Sequence, residues 1–428
     1  MDWIERDAAR VWHGFTQMAV YADNRPIVVE RAEGHELIDT EGRRYLDAVA
    51  SLWVSTLGHR VPELDEALVE QLGRIAHSTM LGNGNVATIE LAEALAEVVP
   101  VDDPRFLFAS DGAAAVEQAI RIAFQFWANR GRPGKRRFLA LGDAYHGDTF
   151  GALSLGDGGF HAEVFAPLRF PVLRTPGYAC EGWADEAVAL VERHADELAA
   201  VVIEPLVQGA AGMRIADPAD VHRLGEACRA HDVLLVCDEV AVGFGRTGTL
   251  FASERCGLRP DLLVLGKGLT GGYLALSATV ASGRVADAFL GADLGPETLY
   301  HGHSYGGNAL AAAVARRHLD LLRERDVLAN VRAREPELRE LFERELATLP
   351  GVRETRLCGL LGAVELEPAE GELRARRVTA ATVERGVFVR PIGDSILLVP
   401  PLTITTAELE RIVDALRSAI LETVPVAA

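Results

Sequence analysis

The chain has 428 residues, 49% of them hydrophobic, which is enough for a large core and more than one domain. Its 43 Lys and Arg residues face 62 Asp and Glu, a formal net charge of −19. This acidic balance argues against nucleic acid or an anionic membrane as the main partner, and it leaves small anionic ligands open.

The cysteines and the N-terminal residues favour a cytoplasmic protein. The five cysteines are scattered and odd in number, so they predict neither a metal site nor a disulfide framework. The opening residues MDWIERDAAR lack the basic start and apolar run of a signal peptide, and no apolar run is long enough to span a bilayer. We expect no metal cofactor.

Residues 1 to 60 are predicted to form an N-terminal arm. After WHGFTQM, the stretch from 27 to 47 alternates and contains turn signals, which predicts short antiparallel strands. SLWVSTLGH follows, and its Trp53 is either a core residue or the wall of a ligand site.

A strand, a turn of small residues and a helix follow one another between 105 and 127. The free N–H groups of Gly112 and Ala113 lie at the predicted helix start, where a phosphate could bind. The alternative is that Ser110 or Asp111 only caps the helix, and the two roles are compatible.

Polar and aromatic residues follow the next predicted strand. Tyr145, at the end of that strand, could stack on a flat ring. His146 has no second ligand at helical spacing, so a metal site is not favoured there, and the HGH at 301–303 is also more typical of a loop.

The middle of the chain alternates helices and apolar strands. This pattern predicts a parallel sheet with helices on both faces. The helices are predicted at 184–198 and 217–231, and the strands at 199–206, 233–240 and 262–265. Glu204, Asp238 and Lys267 all lie at strand ends, the edge where open α/β sheets bind ligands.

Lys267 lies between Gly266 and Gly268, directly after a buried strand. A lysine beside a cavity loses solvation, so its pKa falls and its amine can attack the aldehyde of pyridoxal phosphate. The alternative is an ordinary solvated loop lysine. Asp238 could hold a protonated pyridine nitrogen, and its alternative is a structural salt bridge with an arginine.

A competing motif occurs between Gly243 and Gly248, where GFGRTG fits the dinucleotide fingerprint G-x-G-x-x-G. Two observations count against it. Asp238 and Glu239 would crowd a pyrophosphate, and no long helix follows to present its N-terminus.

Beyond Arg316 the sheet alternation stops, which predicts a domain boundary. The proposed division is an arm (1–60), a large domain (61–316) and a small domain (317–428). Two short strands are predicted around Arg390, and Thr405 with Glu408 forms a capping box for the last helix.

Taken together, SDGAAAVEQAI, YHGDTFGA, VIEPLVQGAAGM, VCDEVAVGFGRTG and LVLGKGLTGGYLALSAT resemble the class III aminotransferases of fold type I. The resemblance implies an α/β fold with a mainly parallel, seven-stranded type of sheet in a large domain. A smaller α+β domain would be built from both chain ends. It also implies pyridoxal phosphate as cofactor, and GFGRTG as a structural loop.

The same resemblance implies roles for individual residues. Lys267 would be the Schiff-base lysine, Asp238 would pair with the pyridine nitrogen, and Tyr145 and Val240 would pack on the two faces of the ring. Glu204 would lie on the hydroxyl side of the cofactor.

Phosphate binding would involve two copies of the chain. Gly112 and Ala113 would hold the phosphate, and Ser304 would reach the phosphate bound by the partner subunit. The resemblance therefore implies a homodimer with shared active sites.

Within the class, WHGFTQM, SLWVSTLGH, YHGDTFGA and GVFVRPIGDSILLVPP are similar to the members that convert 8-amino-7-oxononanoate to 7,8-diaminononanoate in biotin biosynthesis. By this similarity Arg390 would pair with the far carboxylate of the substrate, a bidentate contact that lysine makes poorly. Trp53 would line its alkyl chain. The alternative is a transaminase for ω-amino acids or diamines, with pyruvate as acceptor.

Three positions depart from the usual pattern of these members. Phe15 replaces a tyrosine, Val54 replaces the second of two tryptophans, and His303 replaces a proline. They lie near the amino-donor side of the site. S-adenosylmethionine is the usual donor, and lysine is the alternative because a lysine-using branch has similar loops.

Overall fold

The computed structural model describes residues 1–157, 162–369 and 373–424. The helices in these ranges are α1 (Trp3–Ala8), α2 (Ala50–Trp53), α3 (Pro62–Leu72), α4 (Val86–Ala96), α5 (Gly112–Asn129), α6 (Phe150–Leu155), α7 (Trp183–His194), α8 (Pro218–Ala230), α9 (Ala252–Arg255), α10 (Gly283–Asp287), α11 (Ala309–Glu324), α12 (Val327–Leu341), α13 (Arg374–Glu384) and α14 (Thr406–Thr423). The strands are β1 (Val29–Glu33), β2 (Glu36–Asp39), β3 (Arg44–Asp47), β4 (Arg105–Ala109), β5 (Arg137–Leu141), β6 (Leu173–Thr175), β7 (Leu198–Ile203), β8 (Val207–Gln208), β9 (Arg214–Ile215), β10 (Leu234–Asp238), β11 (Leu262–Leu265), β12 (Ser277–Ala281), β13 (Val352–Cys358), β14 (Leu361–Leu366), β15 (Val387–Phe388), β16 (Arg390–Ile392) and β17 (Ser395–Leu398).

A seven-stranded sheet in the order β4-β12-β11-β10-β7-β5-β6 forms the centre of the molecule. Strand β12 runs antiparallel to both of its neighbours, and the other adjacent pairs are parallel. Strands β7, β10 and β11 are buried along their whole length. The structure therefore confirms the predicted mainly parallel sheet.

Helices cover both faces of this sheet. Along β7, Val201 and Ile203 belong to one apolar cluster, while Ala200 and Val202 belong to a second. Because successive side chains of a strand point to opposite faces, the two clusters are the cores on the two sides of the sheet. Helix α5 packs over β10, β11 and β12, and α8 packs against β10.

The two ends of the chain meet in a four-stranded sheet of order β1-β2-β3-β15, in which β15 pairs with β3 in parallel. The antiparallel strands predicted between 27 and 47 are confirmed. A second sheet has the order β13-β14-β17-β16. The sequence predicts two strands around Arg390, whereas the structure has three. Strand β13 escapes prediction because charged residues interrupt its apolar pattern.

The segment from Gly243 to Gly248 forms a turn, and the helix that follows it, α9, has four residues. So short a helix cannot present the N-terminus that a dinucleotide site requires, and the rejection of that site stands. The capping box of Thr405 and Glu408 is confirmed at the start of α14. The division at Arg316 stays a prediction, and this residue lies inside the continuous helix α11. Among the helices described, none is long and apolar enough to cross a membrane.

Candidate active site

Three parallel strands end side by side at one edge of the central sheet. Strand β10 ends at Asp238, β7 is followed by Glu204, and β11 is followed within two residues by Lys267. Since β11, β10 and β7 are neighbours in the sheet, their carboxyl ends bring these three side chains together. They line a cavity of about 510 Å³.

Lys267 presents its amine to this cavity. The residue has φ of +39° and begins a short 3₁₀ turn directly after Gly266. Its Nζ lies 5.1 Å from the centre of the Trp53 ring, and no described residue forms a hydrogen bond or ion pair with it. Burial lowers the pKa of the Lys267 amine, while the charges of Asp238 and Glu204 oppose that shift.

Asp238 is held by two donors. His146 Nδ1 lies 2.7 Å from Asp238 Oδ2, and the N–H of Val240 donates to Oδ1 at 3.0 Å. An arginine was the alternative partner predicted from the sequence, but the described ion pairs of Asp238 involve His146 alone. His146 is therefore a site residue that the sequence prediction missed, and its position beside Tyr145 was the available signal.

Glu204 is a buried carboxylate in the same cavity. It accepts hydrogen bonds from the N–H groups of Tyr145 and Gly209, each at 3.1 Å. Burial raises the pKa of Glu204 to about 7, and the charge of Asp238 adds to this effect while His146 opposes it. Glu204 can therefore exchange a proton near neutral pH.

Tyr145 forms part of the cavity wall. Its hydroxyl donates to Asp148 Oδ2 at 3.0 Å, and burial raises the pKa of the phenol. Strand β5 ends at Leu141, so Tyr145 lies in the loop after the strand and not at its last residue.

The N-terminus of α5 opens into the cavity at Gly112 and Ala113. Asp111 caps this helix, because its Oδ1 accepts from the N–H of Ala114 at 2.9 Å. A Cβ at Gly112 would lie 2.8 Å from Val240 Cγ1, so only glycine fits against the Val240 side chain. Backbone N–H groups and the helix dipole make this corner suitable for an anion.

The turn α2 that carries Trp53 is left-handed. Ala50, Ser51, Leu52 and Trp53 have φ values of 45°, 47°, 72° and 69°. A left-handed conformation costs non-glycine residues roughly 1–2 kcal/mol each, so surrounding contacts must hold this turn. The Trp53 ring is buried against Gly209, where a Cβ would come within 3.0 Å of it.

Three other predicted site residues do not line the cavity of the single chain. Arg390 is exposed at the start of β16, and Ser304 is exposed with its carbonyl accepting from His77 Nε2 at 2.7 Å. Phe15 is 58% exposed and has φ of +54°. His303 Nε2 lies 3.0 Å from Ser110 Oγ, next to the capped end of α5.

The family profile of "Aminotransferase class-III" matches residues 17–420. The chain belongs to the class III aminotransferase family. Members of this fold type I family generally use pyridoxal phosphate. The predicted family, fold class and enzyme type are thereby confirmed.

Related class III aminotransferases extend over nearly the whole chain. The adenosylmethionine-8-amino-7-oxononanoate aminotransferase of Nitratidesulfovibrio vulgaris is 44% identical, and the match covers 97% of this chain and 81% of that protein. The crystal structure of the enzyme of the same name from Methanocaldococcus jannaschii superposes with a TM-score of 0.95 at 38% identity, covering 98% and 99% of the two chains. A thermostable omega transaminase mutant from Pseudomonas jessenii has a TM-score of 0.92 at 28% identity, with 99% of each chain covered.

Proposed function

We propose that this chain transfers an amino group to 8-amino-7-oxononanoate, giving 7,8-diaminononanoate in biotin biosynthesis, with pyridoxal phosphate as cofactor. The observation behind the reaction type is the unpaired Lys267 amine, among the described residues, in a cavity that also contains Asp238 and the N-terminus of α5. The named relatives support the substrate. S-adenosylmethionine is the proposed donor and lysine the alternative.

The residues present fit pyridoxal phosphate in three respects. The Gly112 and Ala113 N–H groups at the start of α5 suit a phosphate. The buried Asp238 carboxylate suits a protonated ring nitrogen, and the Lys267 amine suits an aldehyde. These are three separate chemical groups of one cofactor, each with a matching partner in one cavity.

Bound pyridoxal phosphate supplies an aldehyde that takes up an amino group and a ring that withdraws electrons from the reacting carbon. Lys267 Nζ, with a pKa lowered by burial, would take the proton from the amine-bearing carbon of the donor and deliver it on the other side of the transferred nitrogen. His146 and the Val240 N–H hold the Asp238 carboxylate in a fixed orientation, so its charge stays aimed at the cavity.

Tyr145 and Val240 are proposed to pack on the two faces of the cofactor ring. Both line the cavity, and Val240 also packs on Gly112 and Gly266. Glu204 is proposed to lie on the hydroxyl side, where a carboxyl group with a pKa of about 7 can either donate or accept a hydrogen bond.

On the substrate side, we assign the Trp53 ring to the alkyl chain, Arg390 to the far carboxylate and Phe15 to the donor. The buried position of Trp53 beside Lys267 supports the first assignment. Arg390 makes no ion pair with a described residue, so its guanidinium is available to a carboxylate.

The Arg390 assignment separates this function from its competitor. Arg390→Ala should raise the KM for 8-amino-7-oxononanoate by about 10- to 100-fold, since hydrogen bonds to charged groups contribute about 1.5–3 kcal/mol. Affinity for the cofactor should not change. Arg417→Ala, at a surface ion pair on α14, is the matched control. Equal KM values in Arg390→Ala and Arg417→Ala would show that Arg390 does not bind the substrate carboxylate.

We also propose a cytoplasmic homodimer. The segment 290–305, which contains Ser304, carries four large exposed apolar or aromatic side chains: Leu290, Leu294, Tyr300 and Tyr305. Such a surface suits a second copy of the chain, which would bring Ser304 to the partner's phosphate site. All five cysteines are free, as in a reducing compartment. Light scattering at micromolar protein concentration tests the dimer, and a monomeric mass would contradict it.

The alternative function is an omega-amino acid or diamine transaminase using pyruvate. The omega transaminase from Pseudomonas jessenii superposes closely on this chain. Because one fold can serve different substrates, this superposition supports the alternative.

The visible absorption spectrum of the cofactor-loaded protein tests both functions. Adding 7,8-diaminononanoate should bleach the band of the bound cofactor, since the product must also run the reaction backwards. S-adenosylmethionine and lysine, added separately, then identify the donor. A band that responds only to omega-amino acids would establish the alternative, and a band that responds to no amine would reject both.

A further inference from the structure

Asp47 lies outside the cavity lining, yet it contacts the turn that carries Trp53. It is the last residue of β3, and its side chain is fully buried. One carboxylate oxygen, Oδ2, accepts from Ser51 Oγ at 2.8 Å and also lies 3.0 Å from His59 Nε2. A buried carboxylate therefore ties the end of a strand to the second residue of the left-handed turn.

Backbone hydrogen bonds also restrain the turn, because the N–H groups of Val54 and Ser55 donate to the Ala50 carbonyl at 2.9 and 3.0 Å. Its backbone closes through the Trp53 N–H, which donates to the Val49 carbonyl at 2.7 Å. At the other end, the buried guanidinium of Arg246 donates to the Trp53 carbonyl at 3.3 Å. Because left-handed backbone is unfavourable for side chains of this kind, loss of the Ser51 anchor should let the turn relax.

Relaxation of this turn would move the Trp53 indole. The ring is in contact with Gly209 on one side and lies near the Lys267 amine in the cavity. A change in backbone handedness at Ser51 or Leu52 redirects every side chain that follows, so the ring cannot keep both contacts.

We propose that Asp47 is a positioning residue for the reaction: through Ser51 and His59 it keeps the left-handed turn, and so the Trp53 ring, against the substrate cavity. This inference rests on the proposed function for its kinetic consequence. Its structural part concerns the position of Trp53 alone and can be measured without any substrate.

The test uses three variants and a control. Asp47→Ala removes the anchor. Asp47→Asn keeps one amide oxygen that can accept from both Ser51 and His59, so it should rescue the effect. Ser51→Ala removes a single hydrogen bond and covers the case in which Asp47→Ala fails to fold. Ser282→Ala is the control. Ser282 is a buried serine that follows β12 near the N-terminal end of β11, whereas Lys267 follows the C-terminal end of β11.

Two readouts separate the inference from the proposed function. In protein labelled with 5-fluorotryptophan, the ¹⁹F resonance of Trp53 is assigned by its absence in Trp53→Phe. We expect this resonance to shift in Asp47→Ala and Ser51→Ala, and to stay in place in Asp47→Asn and Ser282→Ala. The KM for 8-amino-7-oxononanoate should rise about tenfold in Asp47→Ala and about threefold in Ser51→Ala, with kcat and cofactor affinity within twofold of wild type.

An unmoved Trp53 resonance in folded Asp47→Ala, or in Ser51→Ala if Asp47→Ala does not fold, overturns the inference. So does a loss of cofactor affinity that parallels the rise in KM, because it would show a general structural effect. If the wild-type protein does not act on 8-amino-7-oxononanoate, the proposed substrate fails and the ¹⁹F result alone decides the role of Asp47.

Discussion

The chain contains two lysines, Lys135 and Lys267, among 43 basic residues. Both are surrounded by protein, and burial lowers the pKa of both amines, that of Lys135 to about 8. Their contacts differ. The Lys135 amine donates to the carbonyls of Ala195 and Asp232 at 2.5 and 2.7 Å and lies 4.4 Å from the Trp127 ring centre. The Lys267 amine has no such partner in the described part of the chain and faces a cavity.

The comparison of the two lysines shows that a lowered pKa is not sufficient to make a lysine amine a nucleophile. The Lys135 protons are engaged by carbonyl oxygens, which favour the ammonium form and leave no approach for a second molecule. The Lys267 amine keeps its lone pair accessible once it loses a proton. Its position after a parallel strand supplies the access that Lys135, fixed between two backbone segments, does not have.

The largest difference should appear in turnover. Lys267→Ala removes the amine that moves the proton, and we expect aminotransferase activity to fall by at least about 10⁴-fold. Lys135→Met, which keeps the length of the stem, should retain activity within about twofold per folded molecule. The measurement is the steady-state turnover rate of each variant, corrected for the fraction of folded protein. Comparable losses in the two would show that the contrast between the lysines is wrong.

For stability the order should be reversed, with Lys135→Met having a larger effect than Lys267→Ala. Lys135→Met leaves two buried carbonyls without their charged donor, so the free energy of unfolding should fall by about 3 kcal/mol. Lys267→Ala should change it by less, because this amine makes no hydrogen bond to a described residue. Urea denaturation followed by circular dichroism gives both values. An unchanged midpoint for Lys135→Met would contradict the structural role assigned to that lysine.

The pH dependence of stability provides a third test. The pKa of Lys135 is lowered from 10.5 to about 8, so the unfolded chain binds the extra proton between these values and stability rises with pH there. The titration of Lys135 therefore adds a pH-dependent increment to the hydrogen-bond contribution, which is complete above pH 10.5 and is lost as pH falls through about 8. The difference in unfolding free energy between wild type and Lys135→Met should follow this curve. A flat difference would contradict it.

The smallest expected effect concerns the charges around Lys267. Glu204 raises the pKa of Lys267 against the effect of burial, so Glu204→Gln should lower that pKa further. The pH profile of Lys267 acylation in the cofactor-free protein should shift toward lower pH. Glu239→Gln is the matched control, since Glu239 is also buried with a pKa raised to about 7 but bonds to the N-terminus of α9. Equal shifts in both variants would exclude a local effect of Glu204.

The strand-end half of the site is predictable from the sequence because the fold itself assembles it. Parallel strands place their carboxyl ends at one edge, so a lysine and two carboxylates that follow apolar runs must meet there. His146 was not predicted as the partner of Asp238, because the residues of a loop give no period from which a contact can be inferred.

The rest of the site, which comprises the Trp53 turn and three exposed residues, depends on geometry that the local sequence does not indicate. Nothing in ASLW (50–53) indicates four left-handed residues, since none of them is glycine. Arg390, Ser304 and Phe15 lie at exposed positions in the single chain, so their proposed roles depend on substrate or on a second copy.

The most direct measurement exploits the two lysines. The protein is incubated with pyridoxal phosphate, reduced with borohydride and digested, and mass spectrometry then locates the pyridoxyl group on a peptide. We predict that it is attached to Lys267 under native conditions, and that Lys135 is labelled only after unfolding. Native labelling of Lys135, or a native protein with Lys267 unlabelled, would contradict the central claim.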